Sequence, residues 1–424
     1  MTKQGHDRVG DMTATETSII QYEAYPYPPR KAGDEKKRLV TGSPSEWIEV
    51  KHCLFGGAWA KDKPVSVLVA GGGTGDGLIL LAQRLAEEGL SADIHYLDLS
   101  VASRAIAEAR AKARGLENSI TFHTGSLLEA DRLSGAPFDY IDCCGVLHHL
   151  DDPVAGLKAL RRALKPEGGM GLMVYAPYGR TGVYAAQAAF AALFGDEQPK
   201  EKVRLAKQAI KDLPVTNWLK RNPHVGDHVQ AGDAGLYDLL LHATDQPFSV
   251  PDLMAFLAAG GMRLARWCSP LRYQPESYLV DPGLRKRADA MPPEAQWALA
   301  EKLAGNMGTH VFYAVPADRQ GPVEALLDGA AVPVLREVDG AALAKALTPG
   351  QPLKVTIDGL PMSFPLPRLA PALFARVDGE KTVDALYADL RALDGKLTRE
   401  DFDRQMARFV EVNSGLGKLF LKTG

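Results

Sequence analysis

Cysteine is scarce in this chain: Cys53, Cys143, Cys144 and Cys268 are the four among 424 residues. They are too few and too scattered for a disulfide framework or a paired CxxC zinc site, so no metal is expected and a reduced, cytoplasmic setting is. Long apolar runs are missing too. The most apolar helical candidate, GVYAAQAAFAALFG (182–195), is too short for a bilayer, and the opening MTKQGHDRVGDMTATET has no apolar h-region. Neither a membrane partner nor a signal peptide is expected. Charge of one sign does not dominate: 49 Lys and Arg stand against 52 Asp and Glu, a formal charge of −3. The basic footprint of a dedicated nucleic-acid binder is therefore absent. Apolar residues are plentiful at 46%, which excludes a mostly disordered chain, and the length allows two to four domains.

Residues 1–20 are polar and read as loosely ordered, and QYEAYPYPPR (21–30) carries prolines that forbid a regular helix or central strand. From residue 65 strands and helices alternate. VSVLVA (65–70), ADIHYLDLS (92–100), SITFHTGS (119–126), FDYIDCCGV (138–146) and MGLMVYAP (170–177) read as strands. GLILLAQRLAEEG (77–89), VASRAIAEARAKARG (101–115) and DPVAGLKALRRALKPEGG (152–169) read as helices. Such alternation with short links means right-handed crossovers and a parallel sheet covered on both faces. SVPDLMAFLAAGG (249–261) is a helix capped by Ser249, MRLARWC (262–268) a strand, and GTHVFYAVP (308–316) a candidate antiparallel last strand. PADRQGP (316–322) reads as a linker.

The main chemical signal is VLVAGGGTGDG (67–77), a glycine loop between a strand and a helix. A phosphate loop of the GxxxxGK kind fails, because Leu78 stands where Lys should follow Gly77. The dinucleotide pattern GxGxxG fails as well: Gly71 and Gly73 match, and Asp76 takes the third place. Asp98 ends the second strand, where a carboxylate can accept both hydroxyl hydrogen bonds of a ribose. Its competing reading is a helix N-cap, a role Ser100 can fill.

These features resemble the class I S-adenosylmethionine methyltransferases, with GxGxG as Gly71, Gly73 and Gly75, FDYIDCCGVLHHLDDP (138–153) and LKPEGG (164–169). More closely, the chain resembles a bacterial group that opens with QYExxPYP and is often fused to tetratricopeptide repeats. The counterparts here are QYEAYPYP (21–28), AGGGTG (70–75), DLSVAS (98–103) and LYDLLLHATDQPFSVPDLMAFL (236–257); no such repeat is visible. The resemblance implies an α/β fold, a doubly wound, mostly parallel seven-stranded sheet. It implies S-adenosylmethionine as cofactor, with S-adenosylhomocysteine as product. Gly71, Gly73, Thr74, Gly75, Asp98, Leu99, Ser126, Leu127, Cys144 and Tyr22 are the implied cofactor residues. Two positions depart from the family: Val69 stands where an acid usually precedes the first glycine, and Ser126 where an acid usually receives the adenine amino group.

The VLHH segment follows strand four and should face the methyl group. His148 or His149 could act as general base, against a reading in which they pack or cap. Tyr22, Glu23, Tyr25 and Tyr27 read as an aromatic lid able to attract a sulfonium, against a surface arm. Catalytic candidates are His149, Tyr25 and Tyr178. The basic stretch 199–214 reads as a solvated helix face. No NPPY and no glutamate pair follow strand four, so the acceptor stays open between a protein or peptide side chain and a small metabolite. The alternative is a degenerate cofactor-binding or scaffolding protein. The expected organisation is an arm and lid (1–60), a cofactor domain (61–180 plus 248–316), a helical insertion (181–247) and a small α+β domain (323–424).

Overall fold

The computed structural model describes residues 14–321 and 323–423. It begins with helix α1 (Ala14–Ala24) and α2 (Trp47–Leu54). The alternating region follows as β1 (Val65–Ala70), α3 (Asp76–Glu87), β2 (Ala92–Asp98), α4 (Val101–Arg114), β3 (Ile120–Thr124), β4 (Phe138–Cys144), α5 (Pro153–Arg162) and β5 (Leu164–Tyr175). Next come α6 (Val183–Phe194), α7 (Pro199–Asp212), α8 (Trp218–Arg221), α9 (Asp227–Gln230), α10 (Gly232–Leu240) and α11 (Val250–Ala259). β6 (Met262–Trp267), α12 (Pro282–Asp289), α13 (Pro293–Ala304) and β7 (Thr309–Pro316) complete the sheet region. The rest is β8 (Ala331–Leu335), α14 (Gly340–Ala346), β9 (Leu353–Ile357), β10 (Leu360–Phe364), α15 (Ala370–Phe374), α16 (Val383–Leu393), α17 (Arg399–Gly415) and β11 (Leu419–Thr423).

The main sheet has seven strands in the order β3-β2-β1-β4-β5-β7-β6. All pairings from β3 to β5 are parallel, and β7 runs antiparallel to both neighbours. The central strands are apolar on both sides because helices cover both faces, which leaves two cores. One packs Leu68, Phe138, Ile141 and Leu172 against α5 and α11; the other packs Val67, Val69, Tyr96 and Tyr140 against α2, α3 and α4. The strand order reverses between β1 and β4. A crevice therefore opens beyond their carboxyl ends, where open α/β sheets bind ligands.

Two expectations of the sequence reading are corrected. Residues 14–20, read as loose, and 21–24, read as irregular, belong to helix α1, which buries Ser18 and Gln21 and stops before Pro26. Residues 1–13 lie outside the described part. The helix read over 152–169 ends at Arg162. Leu164 already pairs with Phe138 in β5, and a register shift between Phe138 and Tyr140 takes up the LKPEGG segment. Ser249 caps α11 as read, in a reciprocal capping box with Asp252.

Helices α6, α7 and α10 share a cluster of Val183, Phe190, Val203 and Leu236, with Tyr25 packed against it. Residues beyond 323 bury Leu373, Phe374, Phe402 and Phe409 in a further cluster. Among the described residues no helix is long and apolar enough to cross a membrane.

Candidate functional site

The glycine loop is shaped by close contacts on every side. Gly73 has φ +51°, and a Cβ there would lie 2.8 Å from the Tyr27 carbonyl oxygen. Gly71 has φ +67°, and its Cβ would collide with Val146. Both positions combine a left-handed backbone with a close approach, so other residues are excluded. The Gly71 amide donates to Leu97 O (2.7 Å) and the Gly73 amide to Asp98 Oδ2 (2.8 Å). The second strand end thus holds the loop. Asp98 Oδ1 accepts from the Ser100 amide (2.8 Å), and Ser100, not Asp98, caps α4. Burial pushes the Asp98 carboxyl up, and these amides pull it back. Each oxygen keeps a lone pair for a further donor.

The arm after α1 lies over this loop. The Thr74 hydroxyl donates to Pro28 O (2.6 Å), and Arg30 makes a forked pair with Asp76 at 2.6–3.1 Å. Asp76 also accepts from the fully buried Arg110, which bridges to Glu35. Thr74 and Gly75 therefore support the loop from behind and do not line the cavity.

A cavity of about 540 Å³ runs from the loop to Asp238 and His242 near the end of the insertion. Gly71, Gly73, Asp98, Leu99, Ser126, Leu127, Cys144, Tyr22 and His149 all line it. Ser126 is tied to a structural task, since its hydroxyl caps the turn at Leu128 N (3.2 Å). Tyr25 and Tyr178 are not in the lining. Tyr25 follows the end of α1, and its ring stacks on Tyr237 at 5.6 Å. Tyr178 sits past β5 in a turn closed by Thr181. Their places are taken by Tyr27 and Tyr175. Tyr175 shares a face of β5 with Met173, the period-two neighbour that also lines the cavity.

Three further groups carry chemistry that the sequence reading did not single out. Asp142 is buried, lines the cavity and stands beside Val69 in the β1–β4 register. It accepts from the Ser45 hydroxyl and the Cys144 thiol, and burial pushes its carboxyl up. Asp238 is buried on α10 and accepts from the hydroxyls of Tyr22 and Tyr175, each at 3.1 Å. His242, four residues on, stacks on His149 with centroids 3.8 Å apart. Burial holds His149 down at about 4 and His242 at about 3, so both are neutral at pH 7. Asp238 lies on α10 and His242 two residues beyond its end, so the folded chain brings the two beside Tyr22 and His149, and no local spacing marks them.

Charge decides what this cavity suits. Asp76, Asp98, Asp142, Asp151 and Asp238 line it against one arginine, Arg30, and among the described residues no lysine does. Phosphates are disfavoured there and a cation is favoured.

Residues 68–170 match the family model for a methyltransferase domain. The chain carries a methyltransferase domain. The matched residues span β1 to the first part of β5, the half of the fold that shapes the glycine loop and Asp98. An uncharacterised protein of a Synechococcus species is 29% identical over 313 residues, covering 71% of this chain and 73% of its own. The structure of PKMT2 from Rickettsia typhi is similar with a TM-score of 0.61 at 14% identity, over 93% of this chain and 77% of that one. Its complex with AdoHcy gives 0.61 at 15%, over 94% and 77%. The methyltransferase's fold is thus the class I arrangement.

Proposed function

We propose that this methyltransferase moves the methyl group to an acceptor held between the arm, the VLHH turn and α10. The observation that carries the reading is the acidic lining. S-adenosylmethionine brings a sulfonium and an ammonium, and these suit the carboxylates of Asp98, Asp142, Asp151 and Asp238, which form no ion pair among the described residues, better than the phosphates of a dinucleotide do. Asp98 would hold the ribose, with Leu99, Ser126 and Leu127 along the adenine. Gly71 and Gly73 would take the methionine end close to the backbone. Asp142 would supply the negative charge that Val69 lacks, from the neighbouring strand.

The bound cofactor supplies an electrophilic methyl. The protein's part is to align the acceptor with it, exclude water and receive a proton. Tyr22, Tyr27 and Tyr175 wall the reacting end, and His149, neutral, is the group there able to take a proton at Nε2. The acceptor is a group small enough to enter this chamber, on a peptide side chain or a small metabolite. The QYEAYPYP arm supports placing the chain in the bacterial group with that opening segment. The degenerate alternative rests on Val69 and Ser126, and an Asp142 that stands in for the acid missing at Val69 would count against it.

Calorimetry tests the proposal. S-adenosylmethionine and S-adenosylhomocysteine should both bind and NAD should not. Absence of binding by either sulfur nucleoside at millimolar concentration would refute it.

A further inference from the structure

The two stacked imidazoles at the reacting end are held by one residue. His149 Nδ1 lies 2.8 Å from the Thr244 carbonyl oxygen, and the Thr244 amide lies 3.1 Å from His242 Nδ1. A carbonyl only accepts and an amide only donates. His149 must therefore carry its proton on Nδ1 and leave Nε2 as a bare lone pair. His242 must accept at Nδ1 and carry its proton on Nε2. The rings are close to parallel, 22° apart, and both residues line the cavity. His242 Nε2 is buried and has no partner among the described residues. A buried donor left unpaired costs roughly 1–3 kcal/mol, so such a group points to a ligand that completes it.

We infer that Thr244 locks His149 and His242 in opposite tautomers, so that together they present one acceptor and one donor to a neutral hydroxyl of the methyl acceptor. The inference rests on the methyl-transfer reading above and names its substrate class. A hydroxyl has one hydrogen and two lone pairs. Its hydrogen goes to His149 Nε2, one lone pair takes the His242 N–H, and the other remains free to attack. An amine has a single lone pair, which the His242 N–H would occupy. A carboxylate has no hydrogen for His149. In the transfer, the oxygen's free pair forms the bond to the methyl carbon. The carbon–sulfur bond breaks with its electrons left on sulfur, and the hydroxyl proton passes to His149 Nε2. Both imidazoles are held neutral by burial, so neither role needs a prior change of charge. The Tyr22 ring beside His242, with centroids 5.9 Å apart, makes an aromatic hydroxyl a suitable probe.

The test uses the full chain with ¹⁵N-labelled histidine, saturated with S-adenosylhomocysteine. Nitrogen chemical shifts should show His149 protonated at Nδ1 and His242 at Nε2. Phenol should shift both resonance sets, benzoate should not, and His242→Phe, which keeps a stacked ring, should weaken phenol binding about tenfold, the loss of one hydrogen bond. His242→Gln, which can still donate, should recover part of that loss. The opposite tautomers, or phenol binding that leaves both rings unshifted, would overturn the inference. So would stoichiometric zinc uptake by His148, His149 and Asp245, whose ligand atoms lie within 4.8 Å of one another, because the metal would claim His149. Calorimetry with S-adenosylhomocysteine separates the two readings. No binding there defeats the methyltransferase site, whereas binding with the wrong tautomers defeats only the hydroxyl assignment.

Discussion

The two ends of the cavity are built differently. The cofactor end comes from short-range sequence: a loop between β1 and α3, and the last residue of β2. The reacting end is assembled from distant segments, with Tyr22 and Tyr27 from the arm, His149 after β4, Tyr175 ending β5, and Asp238 and His242 on and after α10. At the first end, local backbone rules decide the geometry. At the second, packing between elements far apart in the chain decides it. Substitutions at the cofactor end should therefore act on cofactor binding alone, and those at the reacting end should spare it.

The largest effect is expected at Gly73. An arginine there meets the Tyr27 carbonyl and fills the crevice, so Gly73→Arg should abolish S-adenosylhomocysteine binding in calorimetry; retained binding would move the cofactor elsewhere. Next is Asp98→Ala. It removes charge-assisted hydrogen bonds worth about 1.5–3 kcal/mol, a tenfold to hundredfold loss of affinity. An unchanged dissociation constant in the folded variant would leave Asp98 only its bonds to Gly73 and Ser100. Asp142→Asn keeps the shape and removes the charge, and should cost about tenfold in S-adenosylmethionine affinity. If the affinity is unaltered, Asp142 does not stand in for the acid missing at Val69. Arg30→Ala frees the arm from Asp76. Because that pair is partly exposed, a loss of about threefold in cofactor affinity is expected, read by the same titration.

The smallest effect concerns protons. His149 titrates at about 4 when folded and near its ordinary value when unfolded. Between those values the unfolded chain binds more protons, so this group lowers stability as pH falls from about 6.5 towards 4. His148 and His242, also held down by burial, act in the same direction, while Asp142 and Asp238, pushed up by burial, pull the other way. Melting temperatures at pH 7 and pH 5 should therefore differ less in His149→Gln than in the native chain. An identical difference in both would mean that His149 is not held neutral.

The same contrast explains what was legible beforehand. Strand–helix alternation and the glycine spacing are local, and both led to the observed sheet and loop. Ser249 read as a cap and is one. Asp142 was hidden because its partner position, Val69, lies on another strand; only register brings the two together. Tyr25 and Tyr178 are near the arm motif and the end of β5 in sequence, but that nearness does not put them in the chamber. The break at Pro26 turns Tyr25 onto Tyr237, and strand alternation gives the chamber to Tyr175. Asp238 and His242 lie within the quoted 236–257 stretch, yet the chamber that makes them significant exists only once the insertion has folded against β5.

The central claim is that one cavity holds the cofactor at the glycine loop and delivers its methyl into the tyrosine–histidine chamber. A crystal structure with S-adenosylhomocysteine tests it most directly. The ribose should lie on Asp98, and the sulfur should lie within about 6 Å of the Tyr22 or Tyr27 ring, the reach of a cation–π contact, facing His149. A ligand bound outside this crevice, or a sulfur turned away from those rings, would contradict the account.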